Sequence, residues 1–221
     1  MLRRFVPSAA LALVCAFYAP EAQADPIFFN IANCVSGDCA SFAASGGGSI
    51  VAEINVVNGN DLLITLTNNL NQGAANDDPL LTNLGFDYGS TLSGLTFDSF
   101  QVLSGVVATP TFTVDTTIRS FFIDFGFNFS QATRTSERAG RFGAGEIVQI
   151  LVGTSGLIDP SEFDLGIAKV GGTGTNGVGG AAVLTGSPSA SVPEPGSLMA
   201  LMIGVGAFGL RRRRTIGEQA A

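Results

Sequence analysis

Apolar residues recur at every second position over much of the chain between Asp25 and Leu184. The clearest run alternates two sets of residues, Phe121, Ile123, Phe125, Phe127 and Phe129 against Phe122, Asp124, Gly126, Asn128 and Ser130. A period of two places one set of side chains on one face of a β-strand. We therefore predict a strand here, with its phenylalanine-rich face in the core.

Other segments show the same alternation and predict further strands. They are residues 50–56, 62–66, 92–107, 112–114, 146–152 and 164–170, with 181–184 as a last edge strand. The Asn58-Gly59 step between two of these runs predicts a hairpin. Because no long amphipathic helix accompanies them, we predict an all-β passenger domain over residues 25–184, an antiparallel β-sandwich or jelly roll. The composition of residues 185–191 predicts a flexible linker.

The first 24 residues have the order of a signal peptide. Arg3 and Arg4 precede an apolar run, and Ala22-Gln23-Ala24 has the small-x-small pattern that a signal peptidase recognises. We predict export through the Sec machinery, with cleavage after Ala24. The arginine pair leaves the twin-arginine route as the alternative.

A short apolar segment lies near the C-terminus. Residues 198–210 carry no charge, and Arg211, Arg212, Arg213 and Arg214 follow at once. A helix of this length rises about 20 Å against a hydrocarbon core of roughly 30 Å, which predicts a short transmembrane helix that anchors weakly. The arginines should stay cytoplasmic, with residues 215–221 as a cytoplasmic tail and everything before Leu198 outside. An apolar core helix with a solvated basic end is the alternative.

The motif Val192-Pro193-Glu194-Pro195 stands just before this segment. Pro193 and Pro195 fix φ and remove two backbone donors, so the motif should stay extended and accessible to a protease. Together, the motif, the apolar glycine-rich segment and the arginine cluster at residues 192–214 resemble the PEP-CTERM sorting signal.

This resemblance implies a protein exported by a Gram-negative bacterium. The tail would hold the precursor transiently in the inner membrane, and an exosortase would cut near the Pro-Glu-Pro motif and deliver the protein to the cell surface or the medium. The family is associated with exopolysaccharide, biofilm and floc formation, so exopolysaccharide is an implied partner.

Cys34 and Cys39 are the two cysteines left after removal of the signal peptide, which contains Cys15. An even pair in an exported chain predicts a disulfide. It would close a tight turn in which Gly37 is available for a positive φ. A redox-active pair is the weaker alternative, because four residues separate the cysteines where such motifs usually have two.

Charge and composition restrict the chemistry. The chain has no histidine, which excludes a Ser-His-Asp or Cys-His nucleophilic site and a His-ligated metal. Its formal charge is −7, and residues 25–191 alone carry five basic against fifteen acidic residues, or −10. An acidic surface does not displace counterions from phosphates, so we expect no nucleic-acid partner. We also expect no cofactor and no enzymatic activity, with a hydrolase using two carboxylates as the alternative.

Asp61, Asp77 and Asp78 are the candidate calcium ligands, since they lie in turns rich in Asn and Asp. None of them belongs to an EF-hand pattern, and we expect solvated turns without a metal. The sequence thus predicts an exported, non-catalytic surface or extracellular-matrix protein. A secreted carbohydrate- or calcium-binding β-sandwich module is the alternative.

Overall fold

The alternating segments form strands in the computed structural model, which describes residues 25–44, 46–71, 79–131, 140–173 and 180–189. Within these residues the strands are β1 (Ile27–Ile31), β2 (Asn33–Gly37), β3 (Gly48–Val57), β4 (Asp61–Leu70), β5 (Leu80–Tyr88), β6 (Thr96–Ser104), β7 (Thr111–Ile118), β8 (Phe121–Asn128), β9 (Phe142–Gly143), β10 (Ile147–Gly153), β11 (Phe163–Gly171), β12 (Ala181–Gly186) and β13 (Pro188–Ser189). A short helix, α1 (Cys39–Ala44), and a 3₁₀ turn at Pro160–Glu162 complete them. The all-β prediction is confirmed.

The strands form two sheets in which neighbouring strands are antiparallel. One sheet has the order β13-β1-β3-β4-β10-β6, and the other has the order β2-β12-β11-β5-β8-β7, with β9 paired to β5. The predicted hairpin joins β3 to β4, and both Asn58 (φ 55°) and Gly59 (φ 78°) have the positive φ that such a turn requires.

Aromatic rings connect the two sheets across a shared core. Phe29 of the first sheet contacts Phe86 and Phe163 of the second, with ring centroids 5.3 Å and 6.2 Å apart. Strands β3 and β4 bury every second residue, so their apolar faces meet the second sheet. This arrangement is consistent with the predicted β-sandwich.

The phenylalanine-rich face of β8 divides between two clusters. Phe125 and Phe127 lie in the main core, and Phe129, just after the strand, joins them there. Ile123 instead joins a smaller cluster with Ile167, on the opposite side of the seven-stranded sheet. Strict alternation therefore fails at Asp124.

This smaller cluster also contains Ile118 and Val183, with Phe121 and Leu165 packed against it. Strand β8 pairs with β5 only between Phe125 and Asn128. The end of the β7–β8 hairpin thus contributes residues to a second cluster, which the sequence pattern alone did not distinguish from the first.

The predicted linker at 185–191 begins too early. Strand β12 continues to Gly186, and β13 pairs with β1 through Phe28↔Ser189 and Phe29↔Pro188. The small residues here fit close backbone contacts, since a side chain at Gly186 would meet the carbonyl oxygen of Asn30 at 2.5 Å. Strand β12 also lies between β11 and β2, so it is not an edge strand.

Candidate functional site

The first and last described segments of the chain meet at one edge of the six-stranded sheet. Strand β1 begins at Ile27, and β13 ends at Ser189 directly beside it. The Ser189 hydroxyl donates a hydrogen bond to the carbonyl oxygen of Phe28 at 3.1 Å. The last described residue of the domain therefore lies three positions before Val192, where the predicted sorting motif begins.

Strand β1 is held much more firmly than β13. It pairs over its whole length with β3, from Ile27↔Ile54 to Ile31↔Ile50. Phe29 and Ile31 are fully buried, whereas Ser189 is exposed. Because β13 has only two residues, only two residue pairs connect this end of the domain to β1.

The cysteine prediction is confirmed, since Cys34 and Cys39 form a disulfide with their Cα atoms 5.7 Å apart. The segment between them is not a simple tight turn. It contains the end of β2, and α1 begins at Cys39. Gly37 has φ 83°, as predicted, and a side chain there would meet the Ala181 carbonyl oxygen at 2.1 Å. The disulfide thus connects edge strand β2 to the start of α1.

The Asn-Gly turn holds the one calcium candidate that the structure describes. The Asn58 amide donates to the Asp61 carboxylate at 3.2 Å, as expected of a turn that uses its polar side chains internally. No group of three acidic or cysteine residues among the described residues is placed to hold a metal. Asp77 and Asp78 lie outside those residues.

Two carboxylates lie side by side where β8 separates from β5. Asp124 accepts a hydrogen bond from the Tyr88 backbone amide at 2.7 Å, and its side chain is hydrogen-bonded to that of Asp87. Burial raises the pKa of Asp87, and the bond to Asp124 and the charges of Asp124 and Asp164 raise it further. A hydrogen bond with the Tyr88 backbone acts against this shift. The sequence pattern did not single out this pair, because its members are 37 positions apart on two strands.

A third carboxylate, Asp159, has the opposite shift. It caps the 3₁₀ turn by accepting hydrogen bonds from the hydroxyl and the backbone amide of Ser161, which lower the pKa of Asp159. Its own backbone amide donates to the Tyr88 hydroxyl at 2.8 Å. Tyr88 is buried and forms an edge contact with Phe163, so it offers no exposed platform for a sugar ring.

The remaining predicted site residues lie outside the described part of the chain. They are the signal-cleavage residues Ala22 and Ala24, the motif residues Val192, Pro193, Glu194 and Pro195, and the arginines Arg211, Arg212, Arg213 and Arg214. The predicted transmembrane helix at 198–210 lies outside it too, and no helix within the described residues combines the length and the apolar character needed to cross a bilayer.

Comparison with known proteins identifies the C-terminal segment. Residues 191–214 match the family model of the PEP-CTERM protein-sorting motif. The match spans all eight predicted motif and arginine positions, so the resemblance found in the sequence is confirmed. Neither the curated proteins nor the solved structures gave a match to the chain.

Proposed function

We propose that this protein, which carries a PEP-CTERM sorting motif, is a non-catalytic surface or extracellular-matrix protein linked to exopolysaccharide or biofilm. The observation that carries the proposal is the family match at residues 191–214, which indicates an exported protein that is processed by an exosortase and anchored transiently in the membrane. The β domain would be the delivered part, and the tail would be the address.

The physical character of the tail supports a temporary anchor. Its apolar segment of 13 residues is short for a bilayer, since a helix of that length rises about 20 Å. Each of the two prolines in the motif before it lacks a backbone N–H donor, which disfavours pairing in a sheet and suits a protease substrate. The four arginines oppose complete translocation of the tail.

The non-catalytic role is supported by the chemistry that the residues allow. The chain contains no histidine to act as a general base. Asp87 and Asp124 are hydrogen-bonded to each other, whereas the two carboxyl groups of a retaining glycosidase stand about 5 Å apart and those of an inverting one farther. A structural role for this pair, at the point where two strands separate, fits its geometry better.

The delivery half of the proposal is tested by mass spectrometry of the secreted protein. We expect that cells with an exosortase release a chain that ends near Pro193–Pro195, and that cells without it retain a chain with residues 211–214. A variant with Pro193→Ala and Pro195→Ala is the matched control, because it keeps the apolar segment and the arginines. A secreted chain that still carries Arg211 to Arg214 in exosortase-positive cells would contradict exosortase processing.

The matrix half needs its own measurement. We expect the mature protein to co-sediment with exopolysaccharide from the same cells and to remain soluble when that polysaccharide is absent. A processed protein that is recovered entirely from the polysaccharide-free medium would remove the matrix role while leaving the sorting role intact.

A further inference from the structure

The end of the β7–β8 hairpin leaves its sheet and lies across the face of that sheet that is turned away from the main core. Phe86↔Phe125 is the last described pair between β5 and β8, while residues 116–123 (the arm) continue as a hairpin of their own. Ile118 of β7 shares a buried cluster with Val183 of β12, although three strands separate β7 from β12 in the sheet. The arm therefore folds back over β5 and β11 towards β12.

A groove on this face fits the arm, and four residues form it. Gly85 on β5 and Gly126 on β8 are paired in the ladder, and neither has a side chain to fill the space above it. A carbon added at Gly85 would lie 2.2 Å from Cδ1 of Ile123, and one added at Gly126 would lie 2.9 Å from the same atom. Ile123 thus occupies this space and is only 3% exposed, and the buried side chains of Ile167 and Val183 complete the groove beside it.

The bend at the base of the arm conflicts with the local sequence. The alternation of residues 121–129 is that of one straight strand, yet the β7–β8 ladder has no pair at Asp115 and Asp124, which stand at opposite positions. Asp115 has φ 47°, a left-handed conformation that is unfavourable for a residue with a side chain. A straight hairpin would return Asp115 to an extended φ, so the cost of the bend is recovered when the arm leaves the groove.

We propose that the arm exchanges between two copies of this chain, with Asp115 as the hinge, so that each arm occupies the groove of the other copy. The two arms are identical, and hence the contacts of Ile118 and Ile123 with the groove form again in the exchanged dimer. The hinge alone changes conformation, and it changes to a more favourable φ. Loss of translational freedom opposes the union of two chains, so the closed monomer predominates in dilute solution and exchange requires a high local concentration.

This inference goes beyond the proposed function, which concerns where the chain is delivered and what it accompanies there. Arm exchange would join neighbouring copies that are held close together, as they are on a surface or in a matrix. Residues 25–191 carry a net charge of −10, which opposes contact between copies. Salt at about 0.15 M screens this repulsion beyond about 8 Å and is the condition for the test.

A cross-link across the groove reports which copy an arm occupies. A carbon added at Gly85 would lie 3.1 Å from Cβ of Ile123, close to the separation of about 3.5–4.5 Å that a disulfide requires. The full chain with Gly85→Cys and Ile123→Cys is purified in detergent and oxidised, with Cys15→Ser in every chain to remove the further thiol. We expect the bond within one chain in dilute solution, and a fraction of bonds between two chains that rises with concentration on non-reducing gels.

Mixing two single variants removes the competing bond within one chain. A chain with Gly85→Cys alone and a chain with Ile123→Cys alone form the bond only when the arm of one lies in the groove of the other. We expect this mixed product after incubation at high concentration. A matched pair of Gly145→Cys and Ile123→Cys chains should not form it, because nothing lies within 4 Å of a carbon added at Gly145.

Three substitutions at Asp115 test the hinge. Asp115→Gly accepts a positive φ without strain and should lower the fraction of bonds between chains roughly fivefold or more. Asp115→Val makes the left-handed conformation costlier and should raise it by a similar factor. Asp115→Asn is the matched control, because it removes the charge and still tolerates a positive φ, and should leave the fraction nearly unchanged. If the cysteine variants fold poorly, sedimentation of these three variants with native Gly85 and Ile123 gives the dimer fraction instead.

The results decide the inference separately from the proposed function. A bond that stays within one chain at every concentration, with no mixed product, overturns arm exchange. Equal fractions for Asp115→Gly and Asp115→Val overturn Asp115 as the hinge. A chain that is never cut near residues 193–195 would contradict exosortase processing and leave the cross-linking result unaffected, because the cross-link is measured on the purified chain.

Discussion

Gly85 on β5 illustrates how single residues shape the second cluster. A side-chain carbon there would lie 2.2 Å from Cδ1 of Ile123, which is buried and β-branched and therefore has little freedom to move. We expect Gly85→Ala to lower the free energy of unfolding by about 1–3 kcal/mol, as overpacking usually does. Urea denaturation followed by circular dichroism measures this change.

A double-mutant cycle checks the cause. Ile123→Val removes the Cδ1 methyl and should cost about 1 kcal/mol alone. Combined with Gly85→Ala it should cost clearly less than the sum of the two single changes. Gly143→Ala is the matched control, because the new carbon would meet only the Glu146 carboxylate at an ordinary 3.6 Å. Additive costs for Gly85 and Ile123 would show that the two positions do not compete for space.

The disulfide gives a second prediction at the scale of residues. Its ring is short, with a sequence separation of 5, so it constrains the unfolded chain only modestly. Replacing both Cys34 and Cys39 by serine should lower the free energy of unfolding by about 2 kcal/mol. Denaturant titration of the oxidised protein and the variant measures the difference.

Reduction of the native protein is the control for that variant. It should produce the same loss of stability without the change of side chain. Because β2 is the edge strand that the disulfide connects to α1, hydrogen exchange should increase first in the amides of Asn33–Gly37. An unchanged denaturation midpoint after complete reduction would contradict a stabilising role.

The β7–β8 hairpin contains one aspartate with an unusual backbone angle, Asp115, and one whose carboxylate bonds a neighbouring strand, Asp124. Its register runs from Thr111↔Asn128 to Ile118↔Phe121, and Asp115, which has φ 47°, lies between the paired residues Val114 and Thr116. The side chain of Asp124 bonds the Tyr88 amide where the ladder between β5 and β8 has ended. Beyond the last β5–β8 pair, Phe86↔Phe125, the Asp124 carboxylate thus supplies a hydrogen bond between the two strands.

The contact between Asp87 and Asp124 predicts how the free energy of unfolding changes with pH. The pKa of Asp87 is raised in the folded protein, so the folded state binds this proton more tightly than the unfolded state. The stabilisation that comes from protonated Asp87 is complete below the pKa that Asp87 has in the unfolded chain. It is lost as the pH rises through the pKa that Asp87 has in the folded protein. We expect Asp87→Asn, which keeps a hydrogen-bond donor at every pH, to flatten this part of the stability profile in the acidic range.

The pKa of Asp159 is shifted in the opposite direction to that of Asp87, so its effect on stability should have the opposite pH dependence. Its pKa is lowered by bonds from Ser161, so its contribution is present above the unfolded pKa and is lost as the pH falls. Urea denaturation of Asp87→Asn and Asp159→Asn between about pH 3 and pH 7 should therefore change the profile in opposite directions. A profile for Asp87→Asn that parallels the native one would show that protonation of Asp87 is not linked to folding.

Strand β5 shows which elements the sequence pattern misses. Its residues Leu80–Tyr88 are buried on both sides, with Leu84 and Phe86 in the main core and Gly85 beneath Ile123. A strand covered on both faces does not alternate, and a glycine contributes no apolar signal. The alternation of β3, β4 and β10 was predictable because one face of each strand alone meets the core.

The candidate site also has one part that the sequence predicted and one part that it did not. The sorting motif was predictable because residues 192–214 carry it in local order. The pairing of β13 with β1 was not, because it joins Phe28 to Ser189 across 161 positions and involves only two residues. Composition alone predicted a linker there, since serine, proline and glycine are as common in linkers as in tight strand contacts.

At the scale of the whole molecule, the chain has a β domain followed by a C-terminal sorting motif, and we expect the first 24 residues to act as an export signal. The domain segment, 25–191, has a net charge of −10, while the arginine clusters that offset it lie in the two ends. If both ends are removed, the released protein is more acidic than its precursor. All described strand pairings lie at or before Ser189, so the domain should not need the tail to fold.

Truncation tests this independence. We expect a chain of residues 25–189 to unfold at the same denaturant concentration as the chain that runs on to Ala221, because it keeps every described pairing. A chain of residues 25–187 loses β13 and with it the Ser189 hydroxyl bond, which should cost about 1 kcal/mol. Denaturant titration of the three chains measures both expectations.

Removal of β13 should have a second effect, on association. It leaves β1 as an open edge, and an uncovered edge strand pairs readily with another chain. The 25–187 chain should therefore sediment as larger species as its concentration rises, while 25–189 stays monomeric. Asn30 is exposed on β1, so Asn30→Lys in the shorter chain should restore the monomer without restoring stability, since a charged edge resists pairing. Equal sedimentation of 25–187 and 25–189 would mean that β13 does not protect this edge, and that it serves only to hold the C-terminal chain beside β1.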